Sequence, residues 1–159
     1  QDRIAHYWEP YHKVLQRCMD ETYDMFGMAW HINCHSMPSS SLPRDNESNY
    51  MRRADFVLGD RDGTTCSREF LNVVGTTLKN FGYLVRINDP YKGVEIVRRH
   101  GRPDLGRNSL QIEINRALYM NEGTFERTPY YTTLKTHMAK LVEVVGDYAL
   151  ERTGAKAAE

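Results

Sequence analysis

Two short apolar runs that end in ionisable chemistry limit this chain more than any other feature. Ala29 to Pro38 interleaves Trp30, Ile32 and Met37 with polar groups and delivers His35. Ser109 to Arg116 carries Leu110, Ile112 and Ile114 and delivers Glu113. Each reads as a buried strand, its length being that of a strand rather than of a core helix. A buried ionisable group is costly unless it is paired or bound to a metal. His35 and Glu113 are therefore expected to be two halves of one site, a metal ligand and a general base.

Helical spacing separates these runs. Apolar positions recur from Ile4 through Tyr7, Tyr11, Leu15 and Met19 to Met25, with Pro10 kinking or restarting the helix and Gly27 as its cap. Further strands are expected at 54–59 and 83–87, the first followed by a helix capped by Thr65 or Ser67 and stopped at Gly82. A short helix or hairpin is expected at Val94 to Arg99. Thr128-Pro129 predicts the start of a C-terminal helix over 128–152. Between the first two strands, the Pro- and Ser-rich stretch 36–53 reads as a loop or lid. Alternating strands and helices predict one α/β domain over 1–159, a mostly parallel or mixed sheet flanked by helices.

In such sheets ligands sit beyond the carboxyl ends of the strands. His35-Ser36, Asp60-Arg61-Asp62, Asn88-Asp89 and Asn115-Arg116 all fall where a strand gives out, which points to a small-molecule site. With 21 acidic and 21 basic residues among 159 the chain carries no net charge, so no field favours nucleic acid or an anionic membrane. No run is long enough to span a bilayer. Three cysteines are too few, and odd in number, for a disulfide framework, which argues for a reducing, cytoplasmic setting. The chain opens at Gln1 directly on a helical pattern, without a leader-like stretch, and is expected to be part of a longer protein.

Each candidate has a bland alternative. His35 is either a ligand held rigidly by its strand end or a core histidine bonded to backbone. His31 and Asn33 share its face by period-two alternation, and His100 is a more distant candidate ligand. Glu113, flanked by Ile112 and Ile114, is expected to have its carboxyl raised by desolvation into the range of a general acid or base; otherwise it pairs with Arg107 or Arg116. Arg61, Arg107 and Arg116, with Asn115, are candidates for binding a substrate carboxylate. A nucleophilic reading of Cys34 is weak, because neighbours along a strand point to opposite faces.

Four blocks carry a resemblance: Asn33-Cys34-His35-Ser36-Met37-Pro38-Ser39, then 54–61, then Asn88-Asp89-Pro90-Tyr91-Lys92-Gly93, then 110–120 around Ile112-Glu113-Ile114. In this order, spread over nearly all of residues 1 to 125, they resemble the N-formylglutamate amidohydrolase family. The resemblance implies a phosphorylase/hydrolase-like fold, related to zinc carboxypeptidases and incomplete at the amino terminus. It implies zinc-dependent hydrolysis of N-formyl-L-glutamate to formate and L-glutamate in histidine degradation. It gives His35 as one Zn(2+) ligand and Glu113 as the catalytic glutamate, with the remaining ligands on a segment preceding Gln1. Asn33 stands where the family commonly has Asp, and Asp62 where it has His. The competing expectation is a non-catalytic binding or scaffold domain of the same fold.

Overall fold

A computed structural model describes residues 2–40 and 53–154. Most of the 36–53 stretch, with any lid it forms, lies outside the described residues. The amino-terminal helix begins as a π-turn over Ile4–Trp8, closed by the Glu9 N–H on the Ile4 carbonyl. It continues as α1 (Glu9–Phe26) with Pro10 in its first turn, where the missing N–H costs nothing. Pro10 thus marks the change of helix type. Gly27, at φ 70°, caps α1 on the Tyr23 carbonyl.

Four strands follow: β1 (Ala29–Met37), β2 (Phe56–Gly59), β3 (Val85–Ile87) and β4 (Arg107–Asn115). The outer two by sequence are each longer than the apolar pattern suggests. α2 (Arg68–Asn80) follows β2, with Ser67, not Thr65, as its cap: the Ser67 Oγ accepts the Phe70 N–H at 3.2 Å. α3 (Glu95–His100) precedes β4, and α4 (Tyr131–Thr153) closes the fold. Thr128 does not cap α4. Its hydroxyl donates to the Leu118 carbonyl at 3.2 Å, and the helix starts three residues later.

The sheet order is β1-β4-β2-β3. β1 runs parallel to β4 and β2 parallel to β3, but β2 is antiparallel to β4. The sheet is mixed, with helices on both sides. On one face Phe56, Leu58, Leu110 and Ile112 pack with Phe70, Val74 and Leu78 of α2 and with Leu134, Leu141 and Tyr148 of α4. On the other face lie α1 and α3, which pack on β1 and β4. No helix among the described residues is long and apolar enough to cross a membrane.

The reversal between β2 and β4 corrects one expectation. The carboxyl ends of β1 and β4 share one edge, whereas those of β2 and β3 lie at the opposite edge. Asp60 and Asn88 therefore do not converge with His35 and Asn115. They join each other instead, Asn88 Nδ2 donating to Asp60 Oδ1 at 2.6 Å and the Asp60 N–H to Asn88 Oδ1 at 3.1 Å.

Candidate active site

Register places the two opening residues side by side. His31, Asn33 and His35 of β1 pair with Ser109, Gln111 and Glu113 of β4, and Val57 of β2 flanks Glu113 on its other side. Period-two alternation puts all six polar side chains on the face covered by α1 and α3. Ser109, Gln111 and Glu113 are 0, 1 and 6 % exposed, so the β4 half of this row is as buried as the core.

One bonding chain orders the row. The Val94 N–H donates to Gln111 Oε1 at 2.9 Å, which fixes the amide and turns its Nε2 toward Glu113 Oε1, 2.8 Å away. Gln111 Oε1 also accepts from Asn33 Nδ2 at 3.4 Å, and the same Nδ2 donates to His35 Nε2 at 3.0 Å. With Nε2 an acceptor, the proton of the neutral ring sits on Nδ1, the nitrogen 3.8 Å from Glu113 Oε1. A backbone amide thus sets the polarity of Gln111, Glu113, Asn33 and His35. It reaches Gln111 because Gly59 has no side chain. A Cβ there would stand 2.7 Å from the Gly93 nitrogen and 2.8 Å from the Lys92 carbonyl carbon, blocking the segment that carries Val94.

Burial pushes the Glu113 carboxyl above its ordinary range, against the opposing pull of His35, the Gln111 hydrogen bond and Arg116. Val57, beside Glu113 in the register, forms a small apolar cluster with Met37, Ala54 and Tyr91. A carboxyl raised by burial and presented as an acceptor suits proton transfer.

The other candidates divide. Arg116 stands at the site: its Nε donates to Ser36 Oγ at 3.2 Å, and its guanidinium lies 3.5 Å from Glu122, which also binds Ser39. Asn115 lies at the same strand end, but its side chain is spent on backbone, donating to the Ala54 carbonyl and accepting the Ala117 N–H. Arg107 opens β4 rather than ending it, six residues or about 20 Å from Glu113. It pairs with Asp20 and lies over the Tyr23 ring. Arg61 follows β2 at the opposite edge and donates to the Gly93 carbonyl at 3.0 Å. Neither arginine is brought to the Glu113 pair.

His100 is buried against His12 and His31 at ring-centroid distances of 6.3 and 6.4 Å rather than beside His35. Cys34 points away from Glu113, and desolvation raises its thiol, which leaves it a poor nucleophile at neutral pH. Gln111 is the residue that inspection of the sequence missed, although it stands two positions before Glu113 on the same face.

His35 supplies one imidazole beside one carboxylate, whereas a catalytic zinc takes three protein ligands. Among the described residues no group of three or more His, Cys, Asp or Glu is arranged to hold a metal ion. The donor set fits zinc only in part: His35 offers one imidazole beside Glu113, and its Nε2 already accepts from Asn33.

A buried carboxyl of raised pKa, oriented by an amide and standing beside an imidazole, thus lies on one face of the mixed α/β sheet. The sequence model of the N-formylglutamate amidohydrolase family matches residues 1–120, and the chain belongs to that family. It is 30% identical over 116 residues to the N-formylglutamate deformylase of Pseudomonas putida, covering 72% of this chain and 42% of that one. The Pseudomonas aeruginosa N-formylglutamate deformylase is 27% identical over 122 residues, with 75% and 44% covered. A solved N-formylglutamate amidohydrolase from Ralstonia eutropha JMP134 superposes with a TM-score of 0.89 at 45% identity, covering 98% of this chain and 55% of that one. The match spans less than half the length of the two Pseudomonas deformylases and 55% of the Ralstonia eutropha chain.

Proposed function

We propose that the polar face of β1 and β4 belongs to an amidohydrolase that cleaves the amide of an N-formyl amino acid, foremost N-formyl-L-glutamate, in the cytoplasm as part of histidine degradation. The observation that carries this reading is Glu113, buried, raised in pKa and held as an acceptor by Gln111 beside His35. The deformylase names of the relatives support the substrate. Zinc would be held in part by His35 and, when bound, would polarise the formyl carbonyl and acidify its water.

The chain's own residues account for the proton movements. Glu113 takes a proton from the attacking water as oxygen bonds to the formyl carbon. It returns that proton to the nitrogen as the C–N bond breaks, leaving formate and the amino acid. Gln111 keeps the receiving oxygen oriented between these steps. Arg116, already facing the carboxylate of Glu122, is the cation placed to exchange that partner for a substrate carboxylate.

Formate release from N-formyl-L-glutamate by the zinc-supplied protein tests the reading. Glu113→Gln is expected to lower kcat at least 10³-fold with zinc content unchanged, and residual turnover within tenfold of wild type contradicts the role. The incomplete donor set favours a second reading, a non-catalytic domain of the same fold. Stoichiometric zinc lost on His35→Ala supports the hydrolase; a zinc-free protein releasing no formate supports the second reading.

A further inference from the structure

Arg61 is a candidate for a substrate carboxylate by sequence, yet its side chain is bound to backbone. The residue sits in the left-handed region at φ 50°, followed by Asp62 at 58°. Glycine, asparagine and aspartate take that conformation at least cost, so an arginine there is held by its surroundings. The turn is pinned from both sides. The Thr64 and Thr65 N–H groups donate to the Asp60 carbonyl, and the Arg61 N–H donates to the Lys92 carbonyl at 2.8 Å. Lys92 Nζ closes on Asp62 Oδ2 at 2.8 Å. The turn after β2 thereby grips the segment that leads into α3.

That grip falls on one peptide unit. Arg61 Nη1 donates to the Gly93 carbonyl at 3.0 Å, and the N–H of the same peptide is that of Val94, which donates to Gln111 Oε1 at 2.9 Å. In a trans peptide the C=O and N–H point in opposite directions, so the cation lies on one side and the site on the other. Gln111 repeats the arrangement with its own amide, accepting on Oε1 and donating from Nε2 to Glu113 Oε1 at 2.8 Å. A series of hydrogen bonds, all turned the same way, therefore runs from guanidinium to carboxylate. Bonds from a charged donor are the stronger kind, and bonds in a chain polarise one another.

The charge at the head of this chain is not cancelled locally. Among the described residues Arg61 forms no ion pair, and Glu95, whose carboxyl feels its field, is bound by Arg98 through two bonds of 2.6 Å. Space for the contact depends on Gly93, at φ 106°, where a Cβ would stand 2.7 Å from Val97 Cγ2 and 3.4 Å from Arg61 Cγ.

We infer that Arg61 is a positioning residue for Glu113: its guanidinium holds and polarises the peptide between Gly93 and Val94, and through that peptide and Gln111 it orients the carboxylate. Its effect on turnover rests on the hydrolytic reading of Glu113, whereas the relay itself needs no turnover. Binding a substrate carboxylate would act on KM; orienting Glu113 acts on kcat.

The test compares Arg61→Ala, Arg61→Gln and Arg61→Lys in the zinc-supplied protein, reading formate release from N-formyl-L-glutamate and the proton NMR signals of the Val94 and Gln111 amides. Arg61→Ala and Arg61→Gln should lower kcat by about ten- to a hundredfold with KM little changed. Arg61→Lys, which keeps a cation and a donor, should restore kcat to within about threefold of wild type. The Val94 N–H and Gln111 Nε2–H signals should move upfield in Arg61→Ala and Arg61→Gln and hold their place in Arg61→Lys. A raised KM with kcat and both signals unchanged overturns the inference and makes Arg61 a substrate ligand. A lowered Tm with kcat and both signals unchanged also overturns it, since Arg61 then only holds the turn. If the wild-type protein releases no formate, the hydrolytic reading fails, and the relay stands or falls on whether the two signals move.

Discussion

The two faces of β4 are equally buried and opposite in chemistry. Leu110 and Ile112 point into the cluster made with α2 and α4, while Ser109, Gln111 and Glu113 point under α1 and α3. Burial therefore does not separate core from site in this molecule; pairing does. On the apolar face stability scales with the area and volume each side chain fills. On the polar face Ser109, Gln111 and Glu113 are each tied to a side-chain partner, and removing one leaves another unpaired.

That contrast can be broken by substitution. The largest effect is expected on the apolar face, where Phe56→Ala should cost about 3–5 kcal/mol in urea unfolding. Gln111→Leu keeps the approximate volume yet should cost about 1–3 kcal/mol, because the Val94 N–H and Glu113 both lose their partner. A near-zero cost would mean that the polar row is packed like the core rather than held by its bonds.

The histidines behind the row sharpen the same point through pH. His100 is buried with neither ring nitrogen hydrogen-bonded among the described residues, and burial first, then the neighbouring His31, lowers its pKa to about 4. The folded state thus binds fewer protons than the unfolded state between 6.5 and about 4. Stability should be full above 6.5 and fall as pH drops, by on the order of 2 kcal/mol between pH 7.5 and 5. His100→Leu should flatten that slope, as read from urea midpoints at the two pH values. The smallest effect belongs to Ile112→Val, which removes one methylene and should cost about 1 kcal/mol.

Much of this contrast was legible in the sequence. Period two along Leu110, Gln111, Ile112 and Glu113 fixes which residues share a face, and the same rule on β1 aligns His35 with Asn33. Helix ends were legible wherever a local group decides them, as at Gly27 and Ser67. Strand direction was not, because the reversal between β2 and β4 is set by which strands meet in space. For that reason Arg61 looked like a neighbour of the site and is not; Arg107 is displaced because β4 begins at it, six residues before Glu113. Gln111 escaped notice because an amide carries no charge to flag it, and its role depends on a backbone N–H seventeen residues away in sequence.

The most direct measurement sets Glu113→Gln beside Ile112→Val, adjacent residues on opposite faces, and reads formate release from N-formyl-L-glutamate and urea unfolding on each zinc-supplied protein. Glu113→Gln should abolish formate release while leaving the unfolding midpoint nearly unchanged, since its amide oxygen still accepts from Gln111. Ile112→Val should lose stability and keep turnover. Formate release that survives Glu113→Gln, or that is absent from the wild-type protein, would contradict the assignment of this face as the catalytic one.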